Sequence, residues 1–372
     1  MKEKLAKRLV ADLMKWDVER ATKEFSWLEL MVNYKFDDYQ QYSPGNRFYV
    51  HLLRWVSQFQ ASDRECAWGL LRNELIYISD EEMNHLVSLT GPTIEREMRA
   101  AVARRLGLPV YLVEDDKDAQ KLLAEMRTRT LYVGVSDGAR IDVFRRYNEG
   151  LVNNEQVVAM IEISATKQAS LRKKLRERLA AIKSTAPATF EWVCLIDDFT
   201  ASGTTSIRFE EGEWDGKVKR FLGEIVPAAP LTPLLSDDAH IQVHHYLASQ
   251  AAKESVSQLL GEFQAVNVGV RFVPTFSHTL PQSVVITSTT HAALAALLQK
   301  CYDPGIETSH TKTGIALGYK GGGLPLILSH NTPNNSVATL WARSDPKAAG
   351  YVVAKQMFPL FPRRQRHSDV RP

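Results

Sequence analysis

The chain of 372 residues has only three cysteines, Cys66, Cys194 and Cys301, far apart in the sequence. They make no zinc-ligand spacing, and an odd number is a poor disulfide framework. A reducing compartment is expected. Long apolar runs are missing as well, and no stretch reaches the roughly 20 residues that cross a bilayer. The opening MKEKLAKRLVADLMKW breaks Leu5, Leu9 and Leu13 with charges, so it reads as an amphipathic helix and neither a signal peptide nor a membrane span. A cytoplasmic protein with no membrane partner is expected. An excess of one charge is also lacking: 46 Lys and Arg face 43 Asp and Glu, a net +3. That balance announces no polyanion, although it leaves room for a local basic patch. There is no internal repeat and no low-complexity segment, which excludes a solenoid.

What is present changes texture along the chain. Residues 1–115 read as a helical N-terminal domain. FYVHLLRWVSQFQ and ECAWGLLRNELIYI carry apolar residues at steps of three and four. Ser79 and Glu82 frame a capping box before MNHLVSL. Gly91-Pro92-Thr93 starts IEREMRAAVARRL, which stops at Gly107. With no catalytic motif, this domain is expected to serve contacts. From about 120, strand candidates appear at 130–136, 192–197, 241–248, 266–274, 283–287 and 324–329, with helices at 171–184 and 249–263. The alternation predicts an α/β domain over 116–345 with a largely parallel sheet flanked by helices. Residues 346–372, with three prolines in FPLFPRRQRHSDVRP, read as a basic, flexible tail or an arm for a phosphate backbone.

In sheets of this kind ligands sit at the carboxyl ends of strands. VCLIDDFTASGTTSIRF, from Val193 to Phe209, places two acids there. Adjacent carboxylates leaving a buried strand are costly unless a cation or donor meets them. Ribose hydroxyls or a Mg²⁺ shell would do so. Thr200-Ala201-Ser202-Gly203-Thr204-Thr205 follows, with residues suited to a helix after it. Gly203 permits a tight turn, and the N–H groups, hydroxyls and a helix N-terminus would make an anion site for a phosphate monoester.

Leu195 to Thr205 resembles the phosphoribosyl diphosphate motif of the type I phosphoribosyltransferases. The resemblance implies that Asp197 and Asp198 face the 2′- and 3′-hydroxyls, with Mg²⁺, and that 201–205 cradle the 5′-phosphate. The ligand would be phosphoribosyl diphosphate or a nucleotide. One departure stands out: Ala201 occupies the position where purine-salvage members carry an aspartate base. On this reading Gly203 serves the ligand more than the fold. The two acids gain nothing from each other, so replacing both with Asn would leave the fold at least as stable.

Such a family also needs an earlier loop for diphosphate. LYVGVSDGARIDVFRRYN puts Ser136, Asp137, Gly138, Ala139 and Arg140 after a strand, with Arg145 and Arg146 adding positive field. A third stretch, 318–341, ends a strand in His330-Asn331-Thr332-Pro333-Asn334-Asn335-Ser336, where Asn331 and Asn334 offer donors and acceptors. HNTPNNS and SDGARIDVF together resemble the phosphoribosyltransferase-like effectors of bacterial anti-phage systems, some beside retron reverse transcriptases. That resemblance implies phage defence and a reverse transcriptase, with its RNA or DNA product, as partner. His330 and Lys312 are the first candidates for an acid or base, and His244, His245, His278 and His310 are weaker ones. Three functions compete: transfer at the ribose anomeric carbon, with Asp197, Asp198 and Arg140 as catalytic groups; nucleotide sensing without turnover, which Ala201 favours; and assembly onto a reverse transcriptase or nucleic acid.

Overall fold

The computed structural model describes residues 3–41, 48–225, 233–307, 314–348 and 350–363. Among them nine strands form: β1 (Ile76–Ile78), β2 (Thr130–Gly134), β3 (Val157–Val158), β4 (Phe190–Thr200), β5 (Arg208–Glu210), β6 (Glu213–Asp215), β7 (Leu235–Ser249), β8 (Arg271–Leu280) and β9 (Leu326–Leu328). Five make a wholly parallel sheet in the order β3-β2-β4-β7-β8. The α/β fold with helices flanking a parallel sheet, and a helical N-terminal region, is therefore what the chain adopts. No helix among the described residues is long and apolar enough to cross a membrane.

The register explains the burial. Leu131, Val193, Ile241 and Phe272 align across four strands, and Val133, Leu195 and Val243 across three. They form one apolar face, packed with Leu171, Leu175 and Leu179 of the helix Ala165–Ala181, Phe221 of Lys217–Ile225, and Val256, Leu260 and Phe263 of Gln250–Val266. The other face is more polar, and its groups satisfy one another. Trp192 stacks on His240 with centroids 4.7 Å apart and donates to Gln242 at 2.9 Å. Gln242 donates to Thr275 at 3.0 Å. His244 lies 2.9 Å from the same Thr275 hydroxyl and 3.0 Å from that of Thr90, on the helix Thr90–Leu106. Burial holds His244 neutral, with its pKa pushed down to about 3.

The chain divides into two compact units, Met83–Leu280 and the pair of segments Met1–Glu82 and Pro281–Pro372. This division does not follow the boundaries 1–115, 116–345 and 346–372 read from the sequence. The helix Thr90–Leu106 belongs with the sheet, so cutting at 115 would remove Thr90 from His244. Residues 281–345 belong with the N-terminal helices, because β1 pairs in parallel with β9 and Ile286, Leu298, Ile327 and Leu340 share one core with Val10, Leu28 and Trp55. β1 itself falls where the sequence reads as helix. Positions 283–287 hold a 3₁₀ turn, Gln282–Val284, in place of a strand. β8 starts only at Arg271, after a bend at Gly269, whose φ is +100°.

The tail is partly core. Met357, Leu360 and Phe361 are buried, and the Phe361 ring lies 5.2–5.7 Å from those of Phe36, Tyr39, Phe48 and Tyr77. Tyr39 donates its hydroxyl to the Pro362 carbonyl at 2.8 Å. The arginines at 364, 366 and 371 lie outside the described residues. Truncating a fully buried aromatic costs roughly 3–5 kcal/mol. Phe361→Ala should therefore lower the stability of the unit formed by Met1–Glu82 and Pro281–Pro372 by about that amount in denaturant unfolding. A change no larger than that of an exposed substitution would show that this segment does not hold the core.

Candidate functional site

β4 does not end at its acids. It runs on to Thr200, which pairs with Ala248 of β7. Neighbouring residues on a strand point to opposite faces, so Asp197 and Asp198 part company. Asp197 is buried beside its register partner His245. Its Oδ1 accepts from the Ser136 hydroxyl and from the Asp198 N–H at 3.1 Å. Its Oδ2 accepts from Lys217 Nζ at 2.5 Å. Lys217 is the first residue of its helix, and sequence reasoning missed it, since nothing in its neighbourhood announces a partner twenty residues upstream. His245 shares a hydrogen bond with Ser206 at 2.8 Å, and burial pushes it down to about 3, hence neutral.

Asp198 meets the loop after β2. A Cβ on Gly138 would run into the Asp198 carboxylate, so a larger residue there would push that side chain aside. Asp137, Gly138 and Ala139 form one 3₁₀ turn, and Arg140 follows in the left-handed region at φ 44°. Tyr246 fixes the turn by donating to the Ala139 carbonyl at 2.5 Å. Arg140 donates to Asn84 at 3.2 Å. The guanidiniums of Arg145 and Arg146 are bonded to Asn154 and Asp142.

The loop 200–206 differs from its sequence reading in two respects. Gly203 has φ +79°, and a Cβ there would come within 2.9 Å of Val256 Cγ2. Gly203 is thus required by the fold itself, and Gly203→Val would test packing before ligand binding. The expected helix N-terminus is also absent. The Ser206 and Ile207 N–H groups fold back onto the Gly203 carbonyl. The chain then enters the antiparallel hairpin of β5 and β6, and a helix starts only at Lys217. The donors left for an anion are turn N–H groups and the hydroxyls of Ser202 and Thr204, 2.9 Å apart, with Thr205 exposed beside them. Thr200 takes the Gly203 N–H at 3.1 Å, and the Ala201 carbonyl accepts from Ser249 at 2.6 Å.

Asn331 and Asn334 belong to the unit of Met1–Glu82 and Pro281–Pro372, not to that of the sheet. Asn331 bridges back to Leu328, and the Asn334 carbonyl accepts from the Tyr319 N–H at 2.7 Å. In that unit they shape a turn. His310 and Lys312 lie outside the described residues.

The family model PRTase-CE matches residues 52–363, most of the chain. The chain belongs to the PRTase-CE family. Together with its five-stranded parallel sheet, this makes the protein phosphoribosyltransferase-like. No curated protein and no solved structure matches it.

The residues of this PRTase-CE protein do not fit a magnesium ion at Asp197. The Lys217 ammonium already sits on Oδ2, and Oδ1 holds two donors. Among the described residues no group of three His, Cys, Asp or Glu side chains could hold a metal. The cation beside the acidic strand is a lysine.

Burial pushes the Asp197 carboxyl up to about 6, against the pull of Lys217 and with the repulsion of Asp198. A proton held more tightly in the folded chain stabilises it at low pH. That stabilisation is complete below the ordinary value of 3.8 and is lost as pH rises through about 6. Asp197 is also bonded to Lys217, so replacing both acids with Asn would strand a half-buried ammonium; the double change is expected to destabilise the fold. Asp197→Asn should flatten the pH dependence of thermal unfolding between about pH 4 and 7. Lys217→Met, which removes the cation, should carry the loss of stability to higher pH. Identical pH profiles for the parent and both variants would count against this ion pair.

Proposed function

We propose that the Met83–Leu280 unit binds a ribose 5-phosphate moiety, as phosphoribosyl diphosphate or a nucleotide, at the carboxyl ends of β2 and β4. One observation carries the reading: Gly138 lies against Asp198, so the loop after β2 and the acidic end of β4 close on one point. Asp198 accepts from the ribose hydroxyls. Ser202, Gly203, Thr204 and Thr205 face the 5′-phosphate with N–H and O–H donors. Arg140 and the N–H groups of 137–139 take a diphosphate or a second phosphate. Asp197 supports the site through Lys217 rather than touching sugar.

Binding without turnover is the reading favoured most. Ala201 carries no proton, and His244 and His245 are buried and neutral. The role that fits is a nucleotide sensor in an anti-phage system, with a reverse transcriptase and its RNA or DNA as partner. Support for that setting is the likeness of SDGARIDVF and HNTPNNS to effectors of such systems. A second reading, bond cleavage or formation at the anomeric carbon, is favoured by Lys217 beside Asp197, an ammonium next to a carboxyl that titrates near neutrality.

Calorimetry with ribose 5-phosphate tests the site. Each hydroxyl donating to a charged phosphate is worth about 1.5–3 kcal/mol. Ser202→Ala with Thr204→Val should weaken binding by roughly tenfold or more at unchanged melting temperature. Equal affinity in the double variant would remove the 201–205 loop from the site. Labelled phosphoribosyl diphosphate separates the two readings, since release of diphosphate at catalytic rates would favour turnover.

A further inference from the structure

A cleft lies away from the acidic strand end. It has a volume of about 490 Å³ and is lined by Arg145, Arg146, Arg178, Glu149, Asn153 and Asn154, among others. It shares no residue with 136–140 or 197–206. Arg145 and Arg146 close the short helix Ile141–Tyr147, and Arg178 comes from the helix Ala165–Ala181.

Arg178 is half-buried, and among the described residues it forms no hydrogen bond or ion pair. Burial holds its guanidinium below the ordinary arginine range. The carboxylate whose charge acts on it, Glu155, is itself paired with Lys174. An arginine taken partly out of water with no carboxylate to meet it, beside two other arginines, lacks an anion.

The cations continue along the helix. Lys174 lies four residues before Arg178 and Lys167 seven before that, steps that keep all three on one flank. Leu171, Leu175 and Leu179 form the adjoining buried stripe. At 1.5 Å per residue the row is about 16 Å long, more than one phosphate can cover. Lys173 and Arg176 on the same helix are exposed. Residues 141–181 hold eight Lys and Arg against five Asp and Glu, a local excess of basic charge.

We propose that the Arg145–Arg146–Arg178 cleft and the adjoining flank of the helix Ala165–Ala181 bind the phosphodiester backbone of a nucleic acid strand. Guanidiniums that reach phosphate oxygens release counterions, so binding would be sequence-tolerant and steeply salt-dependent.

The test uses the full chain and a fluorescein-labelled oligothymidylate of about 20 nucleotides, followed by anisotropy at roughly 50–200 mM salt. The parent should bind with an affinity that falls steeply with salt. Arg145→Glu/Arg146→Glu/Arg178→Glu should bind at least about tenfold more weakly, with a salt slope shallower by about 2–3. Because that variant disturbs the Arg145 and Arg146 bonds, Arg178→Gln provides the second arm. It breaks no bond, and it should weaken binding with no change in melting temperature. The variant Arg364→Ala/Arg366→Ala/Arg371→Ala should keep most of the affinity. The proposal is overturned by a parent that does not bind at the lowest salt, or by a triple charge reversal that binds as well as the parent. It is equally overturned if the loss appears only with the 364–371 variant. Displacement of the strand by millimolar adenosine 5′-monophosphate as complete as that by unlabelled oligonucleotide would also overturn it, in favour of a single-phosphate site.

Discussion

A carboxylate at position 197 is buried within a strand, one residue past the last pairing with β2 and still paired with β7. β4 is walled by β2 and β7, and Asp197 falls within its length. A charge so placed is tolerated only with a cation and donors in direct reach. The chain supplies them through a detour. The β5–β6 hairpin leads away from the sheet and back, and Gly216, at φ +117°, lets the returning strand pass where a Cβ would strike the Ser206 carbonyl. The Lys217 N–H then bonds to the Thr205 carbonyl at 3.0 Å and the Val218 N–H to that of Ser206 at 3.1 Å. Those two bonds set the lysine over Asp197. The hairpin, the glycine and the start of the next helix are thus parts of one solution to a buried charge.

The same detour changes the chemistry of the strand end. Where the loop might have opened a helix aimed at a phosphate, it turns back on the Gly203 carbonyl. For the anion site proposed above, that leaves turn N–H groups and the Ser202–Thr204 hydroxyl pair as donors. A helix terminus adds only a fraction of a kcal/mol to about 2 kcal/mol, so its absence does not by itself exclude the proposed site. A lysine in place of a divalent ion at Asp197 also changes what the site offers. An ammonium donates three hydrogen bonds and carries one charge, whereas a metal coordinates several oxygens and carries two. Such a site is suited to holding a ligand.

The unit Met1–Glu82 with Pro281–Pro372 poses a different problem. Its core is made by segments from the two ends of the chain, joined by the β1–β9 pairing and by the aromatic group around Phe361. Asn331 and Asn334 are occupied with the turns of this unit. The PRTase-CE match at 52–363 runs through both units, in keeping with a family that carries the discontinuous unit as part of its architecture.

Local chemistry in the sequence determined a good deal. Alternating strands and helices specified the parallel α/β class, since periodicity and β-branched runs act over a few residues. Leu195 to Thr205 identified the acidic strand end and its glycine turn, and the Ser79–Glu82 capping box forms as read, with both reciprocal bonds at 2.8 and 3.2 Å. Other features depend on partners far along the chain, and no window of sequence contains them. Nothing near Lys217 marks it as the mate of Asp197, because the hairpin that joins them is read only when folded. The short β1 looked helical because its pairing with β9, some 250 residues away, is what makes it a strand. Phe361 looked like part of a loose tail because proline and arginine surround it, while the four rings that bury it lie near the other end of the chain. Strand alternation likewise sent Asp197 and Asp198 to opposite faces once β4 proved to run past them, a length set by the reach of β7 and invisible in the motif. Burial and long-range pairing are properties of the assembled core, and there the tertiary structure alone decided.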